Sequence, residues 1–191
     1  SFFNGTKEWI YYLLSGHKKF IYAGNDAHGN FNKFRQISLP MMFIKESDKQ
    51  ILGVCRTGVF PDKTKDINSS LEALKRGNCF ITNGPYINIE LRSNRNKFQM
   101  GEVCRTENGI LKLHGISNSE FGEFQGYRII KGIIGNRKET ILKEESVLNN
   151  QFEIKIQTNI KSKSNCYYRC EIETTNYRGP CIAMTNPIWL D

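Results

Sequence analysis

No run in this 191-residue chain approaches the ~18 continuous apolar residues that a membrane-spanning helix needs, and no membrane partner is expected. The first residues also lack a basic start, an apolar run and a small-residue cleavage site, which argues against a secretory leader. There is no internal repeat and no low-complexity stretch. No basic run reaches five residues, although Lys and Arg outnumber Asp and Glu by 27 to 19 and the net charge is +8. The excess is spread as +5 over residues 1–85 and +3 over residues 86–191. Such a balance attracts phosphate-bearing partners, but its diffuse placement describes a solvated basic surface, and nucleic acid is not the expected partner. Histidine is scarce, at three. Neither a second cysteine pair nor a histidine cluster at zinc-site spacing accompanies Cys166 and Cys170, which argues against a structural zinc site. The six widely spaced cysteines read as buried free thiols in a reducing compartment, the cytoplasm.

What is present is the composition of an ordinary folded chain: 39% hydrophobic, 12% aromatic and 24% charged. The length suits one domain or two small ones. The first residue is Ser1, not Met, so the expectation is a processed product or a piece of a longer protein. Thr6 is placed to cap a short helix over 7–15, with Trp9, Tyr12 and Leu13 at helical spacing and Gly16 as its left-handed exit. Phe20-Ile21-Tyr22-Ala23 reads as a buried strand ending at Gly24, so helix, turn and strand form one unit of a parallel α/β architecture. The runs 41–44 and 51–54 suggest a hairpin or two adjacent strands. A second helix follows, capped by Asn68 or Ser69, with Glu72 completing a capping box, Leu71 and Leu74 as its apolar stripe and Gly77 as its end.

Beyond Cys79 the period changes to two. Strands are expected over 86–91, 110–113, 127–131, 139–142, 151–157, 167–174 and 181–184, separated by turns such as Ser93-Asn94-Arg95-Asn96. In the strand over 167–174, Tyr168, Cys170 and Ile172 take one face, and Tyr167, Arg169 and Glu171 the other; Phe152 is assigned inward in its strand. Seven short alternating strands in about a hundred residues argue for an antiparallel β-sandwich, with a boundary near Gly84-Pro85. His17 and His114 read as structural. If the sandwich is a binding or assembly module without catalysis, Tyr167 and Tyr177 are its expected exposed contacts.

The residues richest in chemistry are Gly24-Asn25-Asp26-Ala27-His28-Gly29. A carboxylate and an imidazole two residues apart, just past a strand end, suit Zn, Mn or Fe; equally, Asp26 can cap a turn with His28 exposed. Gly-Asn-Asp-Ala-His resembles the last metal-binding motif of the polymerase and histidinol phosphatase (PHP) family of metal-dependent phosphoesterases. The likeness continues through Trp9–Gly16, Gly53-Val54-Cys55-Arg56-Thr57, Leu71–Gly77 with Phe80–Pro85, and Ala183-Met184-Thr185-Asn186-Pro187-Ile188-Trp189, in the order of the branch that carries a C-terminal β domain.

This resemblance implies a distorted seven-stranded (β/α) barrel holding a divalent metal cluster that hydrolyses phosphoesters, with a phosphorylated small molecule as substrate. It implies Asp26 and His28 as the final metal ligands. Arg56 becomes a candidate catalytic anion clamp, since a guanidinium can hold phosphate through two parallel hydrogen bonds; the alternative is a surface or ion-paired Arg. Thr82 and Asn83 either line the site or make turn chemistry. The family's early His-x-His motif and its further His and Glu ligands have no counterpart here, so a complete site cannot be assembled from this chain. The fold expected is therefore α+β: residues 1–85 as an α/β remnant of a PHP-type barrel and residues 86–191 as an antiparallel β-sandwich. The function expected is the C-terminal portion of such a hydrolase, with an incomplete divalent-metal site and little activity alone.

Overall fold

The computed structural model describes residues 4–24, 38–39, 42–43, 53–62, 66–146, 151–161, 165–177 and 179–191. Helix α1 (Asn4–Leu14) is followed by a small ladder of β1 (Ser38–Leu39) with β2 (Met42–Phe43). Then come β3 (Arg56–Val59), helix α2 (Ile67–Lys75) and β4 (Cys79–Thr82). The rest of the described chain is strand-rich: β5 (Tyr86–Ser93), β6 (Asn96–Gln99), β7 (Val103–Cys104), β8 (Asn108–Ile116), β9 (Glu123–Ile133), β10 (Thr140–Ser146), β11 (Glu153–Lys161), β12 (Cys166–Asn176), β13 (Gly179–Thr185) and β14 (Ile188–Leu190). The class is α+β, with two short helices and mostly antiparallel strands.

Two main sheets face each other. The larger runs β10-β9-β12-β13-β4-β3, with β14 pairing β12 and, in parallel, β7; the smaller runs β11-β8-β5-β6. The alternation that makes β5 and β8 strands also fills the space between the sheets. Ile87, Ile89, Leu91, Leu111 and Leu113 share one buried core with Phe124, Ile129, Tyr168, Cys170 and Ile172. Each such aliphatic side chain contributes roughly 1.5–3 kcal/mol by leaving water. The β5–β6 hairpin closes through Asn94 and Arg95, both at positive φ (48° and 69°), the geometry of a two-residue primed turn that matches the twist of its strands. The turn expected at 93–96 is therefore tighter than its four residues imply, and β6 begins within it.

The helices differ from expectation at their starts. Helix α1 begins at Asn4, with Thr6 inside its first turn and 7% exposed, so Thr6 is not its cap. Its exit is as expected: Gly16 at φ +88° lets Gly16 N–H donate to Leu13 and His17 N–H to Tyr12. Helix α2 is capped by Asp66, whose carboxylate accepts the Ser69 N–H at 2.7 Å. Ser69 is thus the third residue of the helix, Glu72 pairs with Lys75 instead of closing a box, and Leu71 is exposed while Ala73 is buried. The expected pairing of 41–44 with 51–54 lies largely outside the described residues; β2 pairs with β1.

Phe20–Ala23 is not a buried strand. The segment is partly exposed and belongs to no backbone ladder, because side chains hold it, as described below. Gly84-Pro85 lies where the chain passes from β4 in the larger sheet to β5 in the smaller one, and β3 and β4 extend the larger sheet through β13. Phe152 also departs from expectation: β11 starts one residue later, and Phe152 is 40% exposed while its carbonyl accepts the Ser117 N–H.

Candidate functional site

Three stretches singled out in the sequence, Gly53–Thr57, Phe80–Pro85 and Ala183–Trp189, come together on the β13-β4-β3 side of the larger sheet, next to the segment ahead of Gly24. Ile21 and Ala23 lie just ahead of Gly24, and each is gripped by one side chain as a strand would be gripped by a neighbour. The Asn186 amide accepts the Ile21 N–H at 2.8 Å and donates to the Ile21 carbonyl at 3.3 Å. The Thr57 hydroxyl accepts the Ala23 N–H at 2.8 Å and donates back to the Ala23 carbonyl at 3.0 Å. These pairs satisfy backbone groups that lack a ladder partner. Asn186 is fully buried and also donates to the Cys79 carbonyl and thiol, both at 3.1 Å; burial lifts the Cys79 thiol to about 11, with the Asn186 contact opposing the rise.

Thr82 and Asn83 prove to be turn chemistry. The Thr82 hydroxyl donates to the Pro85 carbonyl and accepts the Gly84 N–H, closing the turn on itself. The Asn83 carbonyl oxygen of the side chain accepts the Ile182 N–H, and its own backbone N–H donates to Ile182, so Asn83 prolongs the pairing with β13.

Arg56 opens β3 opposite Thr82. Its side chain is exposed, and the guanidinium carbon stands over the Phe121 ring, 5.1 Å from the centroid. Among the described residues no carboxylate pairs with it. Arg56 lies close enough to Cys181 for its charge to pull that thiol down against the upward push of burial. Asp26 and His28 lie outside the described residues.

The donor chemistry of Asp26 and His28 fits a divalent ion, but their number falls short of the four or so ligands such an ion takes. Among the described residues no group of three or more His, Cys, Asp or Glu side chains could hold a metal. His17 is exposed, with its ring edge-on to Tyr12, and His114 Nε2 sits 2.8 Å from Glu153 Oε1.

The alternation of β12 concealed a second set of groups. Tyr167 and Arg169 are 0% and 2% exposed, on the face opposite the sandwich core, where helix α1 covers them. Tyr167 is thus not an exposed binding contact; Tyr177 is 84% exposed. Arg169 donates through Nε and Nη2 to both oxygens of Glu139, donates through Nη1 to Glu171, and lies 5.5 Å from the Trp9 ring centroid. Burial works against its charge, yet Glu139 and Glu171 more than offset that and hold its pKa above the ordinary value. Glu171 passes its other oxygen to Arg128, which lines a cleft of about 290 Å³ with Tyr127, Glu144 and Glu173. Only the positions of Arg169 and Glu171 in the otherwise apolar and aromatic first part of β12 hinted at this network, because its partners come from β9, the β9–β10 connection and helix α1. Five of the six cysteines are buried, and all are free thiols. No described helix is long and apolar enough to cross a membrane.

No protein-family model, curated protein or solved structure matches this chain.

Proposed function

We propose that this chain is the C-terminal portion of a PHP-type metal-dependent phosphoesterase, a barrel remnant joined to a β-sandwich, contributing Asp26 and His28 as one pair of metal ligands and Arg56 as an anion clamp. One observation carries most of the support. The Arg56-Thr57 motif and the Thr185-Asn186-Pro187-Ile188 motif, far apart in sequence, both reach the segment that leads into Asp26-Ala27-His28, and they fasten it by four hydrogen bonds. With the N–H and C=O of both Ile21 and Ala23 held by side chains, the backbone is fixed up to Gly24, and this supports a ligand motif directly after it. Arg56, the neighbour of Thr57 in β3, carries a permanent positive charge and a planar donor fork; its side chain leaves the strand on the face opposite the Thr57 clamp, toward Phe121. In this role it binds and orients a phosphate group and offsets its negative charge.

With two of the ligands present, the isolated chain holds a divalent ion weakly and turns over phosphoesters at close to the background rate. Titration of the purified chain with Mn²⁺, followed by the paramagnetic resonance of the free ion, tests the first part. Asp26→Asn and His28→Gln are each expected to abolish the bound fraction. If both variants bind Mn²⁺ as the parent does, the ligand pair is wrong. Vigorous metal-dependent hydrolysis of p-nitrophenyl phosphate by the parent chain would show that the ligand set is complete after all.

A further inference from the structure

We infer that Phe121 is a positioning residue that holds the Arg56 guanidinium ready for a phosphate group; the inference rests on the reading of Arg56 as an anion clamp. Arg56 belongs to β3, whereas Phe121 belongs to the turn between β8 and β9, and their contact joins the two parts of the chain expected to be separate domains.

That turn is exposed at Asn118, Ser119 and Glu120, yet it is fastened far more tightly than an ordinary surface connection. The Phe121 N–H donates to both the carbonyl and the side-chain oxygen of Asn118. Its carbonyl accepts the hydroxyl of Thr174, a residue with no exposure, at 2.6 Å. Asn176 donates to the Glu120 carbonyl and Ser117 to the Gly122 carbonyl. Gly122 sits at φ +81°, and a Cβ there would lie 1.9 Å from the Thr175 carbonyl oxygen, so only glycine lets the turn approach β12 this closely. On the far side the ring presses on Gly84, where a Cβ would fall 2.9 Å from Phe121 Cδ1. Backbone and ring are both fixed before any ligand arrives.

The tethered ring gives a long, flexible cationic side chain a surface to rest on. A guanidinium over an aromatic face keeps its charge and its in-plane N–H groups, while the freedom that anion binding would remove is already restricted. Among the described residues no carboxylate competes for those N–H groups. The arrangement leaves that donor fork open to a tetrahedral oxyanion such as a phosphate monoester.

Inorganic phosphate is the probe. Its binding to the 191-residue chain is followed by the Nε–Hε resonance of Arg56, which the Phe121 ring current displaces from the other arginine signals. Phe121→Leu keeps apolar contact with Gly84 but removes the π face, and it is expected to weaken phosphate binding about two- to five-fold, the size of an exposed cation–π contact, while moving the Arg56 resonance toward its solvent value. Phe121→Trp is expected to restore binding to within about two-fold and to keep the displacement. Arg56→Gln is expected to lose phosphate binding. If Phe121→Leu binds phosphate as the parent does while Arg56→Gln does not, the positioning role of Phe121 is refuted and the anion clamp survives. If Arg56→Gln binds phosphate unchanged, the clamp and its positioning residue fall together. Thermal unfolding of each variant reports the fold; should Phe121→Leu unfold, the parent against Phe121→Trp decides the question, with a larger displacement and binding within about two-fold expected and a greater weakening counting against it.

Discussion

The two sheets are built from similar strands but meet different surroundings. The smaller sheet buries one face, and its outer face carries Glu90, Arg92, Lys112, Lys155 and Lys161 in or near water. The larger sheet is covered on both faces along β12, by the sandwich core on one side and by α1 on the other. Both sheets present alternating polar residues on the outer side. On the smaller sheet, alternation means exposure. On the larger, Arg169 and Glu171 lie out of solvent, each hydrogen-bonded to side chains of opposite sign. A period of two thus fixes which side chains share a face, while a helix elsewhere in the chain decides whether that face is wet.

The sharpest break of this comparison is Arg169→Met. It removes the donors to Glu139 and Glu171 and leaves buried carboxylates short of partners, so a loss of about 3–5 kcal/mol in urea unfolding is expected. A loss below about 1 kcal/mol, the range of exposed pairs, would mean that the network is hydrated and that the two outer faces are physically alike.

A smaller, pH-dependent effect comes next and rests mainly on the larger sheet, although burial raises the Tyr86 phenol of the smaller one as well. Burial raises the Cys79 and Cys170 thiols and the Tyr167 and Tyr168 phenols, all on the larger sheet, with Cys79 at about 11 against an ordinary 9.0. In the folded state these groups keep their protons where the unfolded chain releases them. The stability they confer is therefore intact below pH 9 and is lost as the pH rises, for Cys79 between about 9 and 11. The slope is about 1.4 kcal/mol per pH unit for each proton involved. Urea unfolding at pH 8, 9 and 10 is expected to show this decline, and Cys79→Ala to make it shallower by roughly one proton. A flat profile for the parent chain would show that these thiols and phenols reach water without unfolding.

Much of this arrangement was legible in sequence, for reasons particular residues make plain. Ile87, Ile89 and Leu91 on β5, and Leu111 and Leu113 on β8, announce a half-buried sheet because apolar side chains recur every second residue between turn formers. Gly16 and Gly77 mark helix exits because only a left-handed residue closes those ends. Three features did not follow from pattern. The Asp66 cap was missed because Asn68 and Ser69, equally good cap formers, stand beside it. Burial of Tyr167 and Arg169 depends on α1, roughly 160 residues earlier, which no local window contains. Phe20–Ala23 has the composition of a strand, but its partners are the side chains of Thr57 and Asn186, and no backbone-pairing rule finds those. At the candidate site, Arg56 and Thr57 were legible as a motif, whereas Phe121 was not, since nothing in the β8–β9 turn distinguishes its aromatic residue until Arg56 is found resting on it.

The smallest expected effect lies on the outer face of the smaller sheet and sharpens the contrast from the other side. Burial alone would raise the Glu90 carboxyl, but Lys97 and Arg92 both reach it and hold it below the ordinary range. Arg92 and Lys97 are each about half exposed, so either can swing into water when its partner is removed. Arg92→Met leaves Glu90 with Lys97, and Lys97→Met leaves it with Arg92; each is expected to cost under about 1 kcal/mol and to cost less in high salt. The double variant strands a carboxylate that is itself only 13% exposed, so its cost should exceed the sum of the two. Because the folded carboxyl is depressed, the stability it confers is present above its unfolded pKa and lost as the pH falls through its lower folded one; in the double variant that acid-side loss should vanish. Strict additivity, with an unchanged acid profile, would mean that Glu90 is solvated directly and that its two cations are bystanders.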